Sequence, residues 1–189
     1  MKQALFHTIA CILFCFCLSC STDEKVLTTQ KEITRAEMIM ESNPDSALSI
    51  MLGINTATLR SSRRMHMEYI MLLANAQNRS DNPMMSLEEL LPAMKYFDKE
   101  GSCDQRALCL YLAGRICVLH HDSPMAMEYF QRVLLLSESA KGKIDYKTLY
   151  RTHSQMAETY HEQKLFAKAA EECMIAAEIA LHNDDTLSY

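Results

Sequence analysis

The chain has no tryptophan, and among its 189 residues only four are glycine and four proline. Those two residues punctuate turns and hairpins, so their scarcity excludes a many-stranded, turn-rich fold. No stretch alternates apolar and polar residues with a period of two, which removes the usual strand signal. Basic excess is also missing. The formal net charge is −5 and no basic run occurs, which argues against nucleic acid as a partner. Catalytic motifs are absent as well: there is no Gly-rich phosphate loop, no GxSxG and no HExxH. The carboxylates Glu171/Glu172 and Asp184/Asp185 are sequence neighbours on solvated faces, not opposed acid/base pairs. His120 and His121 are adjacent, which points them about 100° apart on a helix and prevents them from readily sharing a metal. They read as helix-end residues beside unpaired carbonyls. The expectation is a protein that is not an enzyme and uses no cofactor or metal.

What is present begins at the N-terminus. One charged residue, Lys2, precedes the nearly unbroken apolar run ALFHTIACILFCFCLSC, the layout of a secretory signal. The run is about 15 residues, shorter than the roughly 20 a membrane-spanning helix needs. Cys11, Cys15 and Cys17 act there as small hydrophobes. Cys20 ends the run after Leu18 and Ser19, and Ser21, Thr22, Asp23 and Glu24 follow. This LSC segment resembles the lipobox of bacterial lipoproteins, although Cys17 stands where that motif usually has Leu. The resemblance implies cleavage between Ser19 and Cys20, lipidation of Cys20 and anchorage to a membrane through that lipid. Several acyl chains hold stably where one does not. An ordinary secretory signal cut nearby is the alternative. In the Gram-negative sorting scheme Asp after the lipidated cysteine retains a lipoprotein at the inner membrane. Ser21 in that place implies the outer membrane, and Asp23–Glu24 is similar to acidic tags that route lipoproteins to the cell surface.

Loss of residues 1–19 leaves 170 residues with a net charge of −6, because one Lys and no acid departs. That is enough chain for one domain. Ala, Leu, Met, Glu and Lys are common, a helical composition. A flexible tether is expected over 20–30, helical repeats over 31–183, and a tail or the start of a further helix over 184–189. Ile33, Ala36, Ile39 and Met40 form a first apolar stripe. Asn43 caps a second helix with Pro44 in its first turn, and one long helix is expected from Thr58 to Gln77. Ser86 and Glu89 read as a capping box, and Gly101 as a stop after a helix that Pro92 should bend. Residues 104–120 are apolar nearly all round, the mark of a central helix. Asp122 or Ser123 caps the next. Two more helices cover about 146–163 and 165–182, which makes about eight. The fourteen methionines are read as core filling. Cys103, Cys109, Cys117 and Cys173 fit no zinc spacing and are expected as buried thiols, with a long-range disulfide in an oxidising periplasm as the alternative. Cys109 and Cys117 would lie about 12 Å apart on one helix, too far for a disulfide.

A repeat is visible in the second helix of each pair. Ala47, Ala93, Ala126 and Ala169 recur at steps of 46, 33 and 43, and each is followed four residues later by a larger side chain. Gly114 and Ala157 lie twelve residues before Ala126 and Ala169. The pattern resembles the tetratricopeptide repeat, best over 107–140 and 150–183. The resemblance implies an all-α, right-handed superhelix of about four antiparallel helix pairs. In that family the first helices line a concave groove. Counted from Gly114, the groove would carry Leu108, Tyr111, Arg115, Val118 and Leu119. Counted from Ala157, it would carry Arg151, Ser154, Glu158, His161 and Glu162. Arg115 stands out as the lone charge on an apolar helix, placed either at the groove or in an internal ion pair. The Lys/Asn pattern that clamps chaperone C-terminal carboxylates is absent. The expected function is a protein- or peptide-binding scaffold at the cell envelope. The alternative is the extracytoplasmic sensor part of a longer signalling protein.

Overall fold

The computed structural model describes residues 24–139 and 144–183, all helices, turns and short connections, with no strand among them. The leader 1–19, Cys20 and the tail 184–189 lie outside the described residues. Nine helices are described. They are α1 (24–39), α2 (Pro44–Gly53), α3 (Thr56–Leu59), α4 (Arg63–Arg79), α5 (Leu87–Glu100), α6 (Cys103–Leu119), α7 (Ser123–Ser139), α8 (Tyr146–Glu162) and α9 (Phe166–His182). None is long and apolar enough to cross a membrane. The chain divides into two compact units, one up to Ala76 and one from Gln77 onward.

In the first unit, the tether expected over 20–30 is helical from residue 24. The reason is periodicity: Thr29, Ile33, Ala36 and Met40 are all buried and share one helical face. Asn43 caps α2 as expected, its Oδ1 accepting from the Ser46 N–H at 3.1 Å, with Pro44 in the first turn. The single helix expected from Thr58 to Gln77 is instead two. The Ser61 hydroxyl donates to the Thr58 carbonyl at 2.7 Å, and the Ser62 oxygen accepts from the Met65 N–H at 3.3 Å. These two hydroxyls offer the backbone local partners that compete with helix continuation, so α3 stops and α4 starts anew.

The second unit carries the more regular pattern. Ser86 and Glu89 form the expected capping box: the Glu89 N–H donates to Ser86 Oγ at 3.3 Å, and the Ser86 N–H donates to Glu89 Oε2 at 2.8 Å. Helix α5 continues unbroken through Pro92 and stops at Glu100, before Gly101. A second capping box starts α6, from Ser102 and Gln105. Helix α6 touches α5, α7 and α8, the surroundings an all-round apolar helix requires. Leu112, Ile116 and Phe130 are almost wholly buried, each contributing about 1.5–3 kcal/mol by removal from water. Asp122 caps the start of α7, accepting from the Met125 N–H at 3.1 Å.

The pairs α6/α7 and α8/α9 are structural copies at a step of 43 residues. All four helices have 17 residues. Both turns place a left-handed residue two positions past the first helix, His121 at φ 59° and Lys164 at φ 61°. The next N–H then reaches back five residues, from Asp122 to the Cys117 carbonyl and from Leu165 to the Tyr160 carbonyl, each at 2.9 Å. That is the Schellman end, which satisfies carbonyls the helix leaves open. Helix α4 ends the same way, with Asp81 at φ 50° and the Asn82 N–H donating to the Gln77 carbonyl at 3.1 Å. Within the second unit Ala93, Ala126 and Ala169 are all buried.

Candidate functional site

Two of the residues expected in the groove serve the interior instead. Tyr111 is only 4% exposed and packs against Phe130, with ring centroids 6.2 Å apart. It is core, because the face counted from Gly114 is the one Phe130 lies across. Arg115 is half-buried. Its Nε donates to Asn78 Oδ1 at 2.8 Å, and its Nη1 donates to Gln155 Oε1. Neither reading made from the sequence survives in full: Arg115 is neither an open groove residue nor joined here to a carboxylate. Within the second unit it joins Asn78 and α8 to α6 through two side-chain amides. Such bonds to a charged group contribute about 1.5–3 kcal/mol each. Leu108 and Val118 are half-buried, and Leu119 is exposed. Glu162 is exposed and Arg151 half-buried on α8.

Ser154, Glu158 and His161 are brought together. They line a cleft of about 670 Å³ between α8 and α9, with Phe166 at one end. The floor comes from α9, where Ala169, Ala176 and Ala180 recur on one face. Each element is positioned for a physical reason. Ala157 on α8 and Ala169 on α9 are both buried, which lets the two helices approach closely. His153 Nδ1 and Glu172 Oε2 meet at 2.6 Å across the same helix pair, both largely buried. This contact joins the two helices of the hairpin through residues that do not line the cleft.

The polar groups at the cleft are few. The Ser154 hydroxyl donates to the Tyr150 carbonyl at 2.9 Å, within its own helix. Glu158 is exposed and accepts from Gln155 Nε2 at 3.0 Å. His161 is exposed and stands edge-on to Phe166, with centroids 5.5 Å apart. Nothing here pairs a nucleophile with a base, and among the described residues no group of His, Cys, Asp or Glu is placed to hold a metal ion. A largely apolar trough with a few edge polar groups is suited to binding an apolar surface.

Sequence reasoning missed three features of this site. Cys173, expected as a buried thiol, is exposed and lines the cleft. The buried thiols are Cys109 and Cys117, and Cys103 is half-buried. Burial pushes the Cys109 thiol up to about 12; it raises Cys117 as well, helped by Asp122. The His153–Glu172 contact joins residues 19 positions apart and leaves no local signal. Phe166 reads as an ordinary first-turn apolar residue but is 60% exposed. No family model, curated protein or solved structure matches the chain.

Proposed function

We propose that the protein is a lipid-anchored scaffold of the bacterial cell envelope, a tetratricopeptide-like stack of helix pairs that binds a protein or peptide. The anchor rests on the leader, its apolar run and Cys20. The repeat architecture draws support from the 43-residue copy of α6/α7 in α8/α9, with the same helix lengths and the same Schellman turns. It extends to a right-handed solenoid of such pairs. The single observation that carries the binding role is the open α8/α9 cleft, whose apolar floor and edge residues Ser154, Glu158 and His161 form a prebuilt seat. A trough of this kind recognises a partner through buried apolar side chains, with polar edge groups fixing register.

Site-specific photocrosslinking in intact cells tests both parts. A benzophenone amino acid at position 161 is expected to give a discrete adduct in the membrane fraction. The same group at 135, exposed on α7, is expected to give none. Cys20→Ser is expected to release the protein from membranes and abolish labelling by a fatty-acid analogue. Identical crosslinking from 161 and 135 would remove the cleft from the account, and unchanged membrane retention of Cys20→Ser would remove the anchor.

A further inference from the structure

The internal repeat says what kind of surface belongs in the cleft. Helix α8 sits against both α6 and α7, and the Arg115–Gln155 bond marks its contact with α6. Thr148, Thr152 and Thr159 lie on the same face of α8 as Gln155, at helical spacing, and all three are buried. The side of α6/α7 that α8 covers corresponds, 43 residues on, to the side of α8/α9 where the cleft opens. The first hairpin therefore has an occupant on this face that the second hairpin lacks among the described residues.

The two faces differ in a directed way. Tyr111, Phe130 and Val133 on α6/α7 become Ser154, Cys173 and Ala176 on α8/α9. The first three are almost wholly buried, whereas Cys173 is exposed. On the first hairpin the platform supplies the bulk, and the face of α8 that carries Gln155 is lined with buried threonines. On the second hairpin the platform is small, so an occupant must supply the bulk itself. The charge reverses too. Arg115, which donates to α8, is replaced at the equivalent position by Glu158, a carboxylate that only accepts.

We infer that the α8/α9 cleft takes one amphipathic helix from a protein partner, seated as α8 is on α6/α7. That helix carries large aliphatic or aromatic side chains where α8 has Thr152 and Thr159, and Arg or Lys where α8 has Gln155. This deepens the scaffold reading and rests on it. The occupant is a partner of that chemistry because of the charge reversal: where α6 offers the donor Arg115 to α8, the cleft offers the exposed carboxylate Glu158, which calls for a basic group facing it.

The probe is a synthetic, fluorescently labelled peptide of residues 145–163 carrying Thr152→Leu, Gln155→Arg and Thr159→Leu, titrated into the full chain. The control peptide carries glutamate at 155 and the same leucines; a second control keeps both threonines with the arginine. The Arg/Leu peptide is expected to bind at least about fivefold tighter than the Glu/Leu peptide, the scale of a rim charge pair. It is expected to bind about tenfold or more tighter than the threonine peptide, the scale of two buried side-chain enlargements. Glu158→Lys is expected to invert the charge preference while helicity by circular dichroism is kept. Bulky alkylation of Cys173 is expected to abolish binding of all three. Equal binding of the Arg and Glu peptides, still blocked at Cys173, would overturn the assigned charge and leave the cleft as a helix seat. No binding by any peptide would overturn the inference and the cleft reading together. A concentration-dependent dimer in sedimentation, dispersed by Cys173 alkylation, would overturn the partner in favour of a second copy of this chain.

Discussion

Gly114 and Phe130 set the closest approach between α6 and α7. A Cβ built on Gly114 would clash with the edge of the Phe130 ring, 2.7 Å from Cδ1 and 2.9 Å from Cζ. The equivalent pair in the next hairpin is Ala157 and Cys173, where the smaller partner leaves room for the methyl group. Gly114→Ala is expected to destabilise the protein by about 1–3 kcal/mol, the usual result of overpacking. In urea melts the loss should shrink when Phe130→Leu is added, and additive losses would contradict the contact. The small residue and its spacing from Ala126 were legible in the sequence, because close helix packing demands them. The environments of Tyr111 and Arg115 were not. Their position on α6 followed from counting, but what lies over them comes from Phe130, Asn78 and Gln155, between 19 and 40 residues away in sequence.

Helix ends show the same division between local and distant causes. The Asn43–Pro44 start and the Ser86/Glu89 box were readable because both partners lie within one turn of sequence. The Ser102/Gln105 box has an equivalent local signal, S-x-x-Q. The Schellman ends leave no such signal, because their left-handed positions hold Asp81, His121 and Lys164 rather than glycine. A residue with a Cβ costs about 1–2 kcal/mol in that conformation. Lys164→Gly is therefore expected to stabilise the protein by about 1 kcal/mol, read as a rise in the urea midpoint; an unchanged or lowered midpoint would contradict the turn geometry. Glu89 gives a pH prediction of definite sign. The hydrogen bond from the Ser86 N–H, and then its side-chain bond to Ser86, hold its carboxyl below the ordinary value. A depressed folded-state value stabilises above the unfolded-state pKa, and the contribution fades as pH falls through the folded one. Wild type is expected to lose stability between about pH 5 and 3 more steeply than Glu89→Gln. Parallel curves for the two proteins would show that the capping box does not form in solution.

At the scale of the whole molecule, the all-helical character of the described residues, the number of helices among them to within one and the covering of α6 on several sides followed from periodicity and from the shortage of glycine and proline. The state of the last hairpin did not, because its alanine-rich face reads the same whether a neighbour covers it or not. Helix α8 fills the side of α6/α7 that its own pair leaves open with α9. That difference makes the exposure of Cys173 the physical fact on which the binding role stands. Thiol labelling of the native protein at pH 8 under reducing-agent-free conditions reads it directly, residue by residue, by mass spectrometry. Cys173 is expected to label at the rate of an unfolded thiol. Cys109, nearly wholly buried with its thiol pushed up to about 12, should react only through opening of the fold, about a thousandfold or more slowly for an ordinary domain stability. A Cys173 as slow as Cys109 would mean that the cleft is closed, and the binding role proposed for it would be wrong.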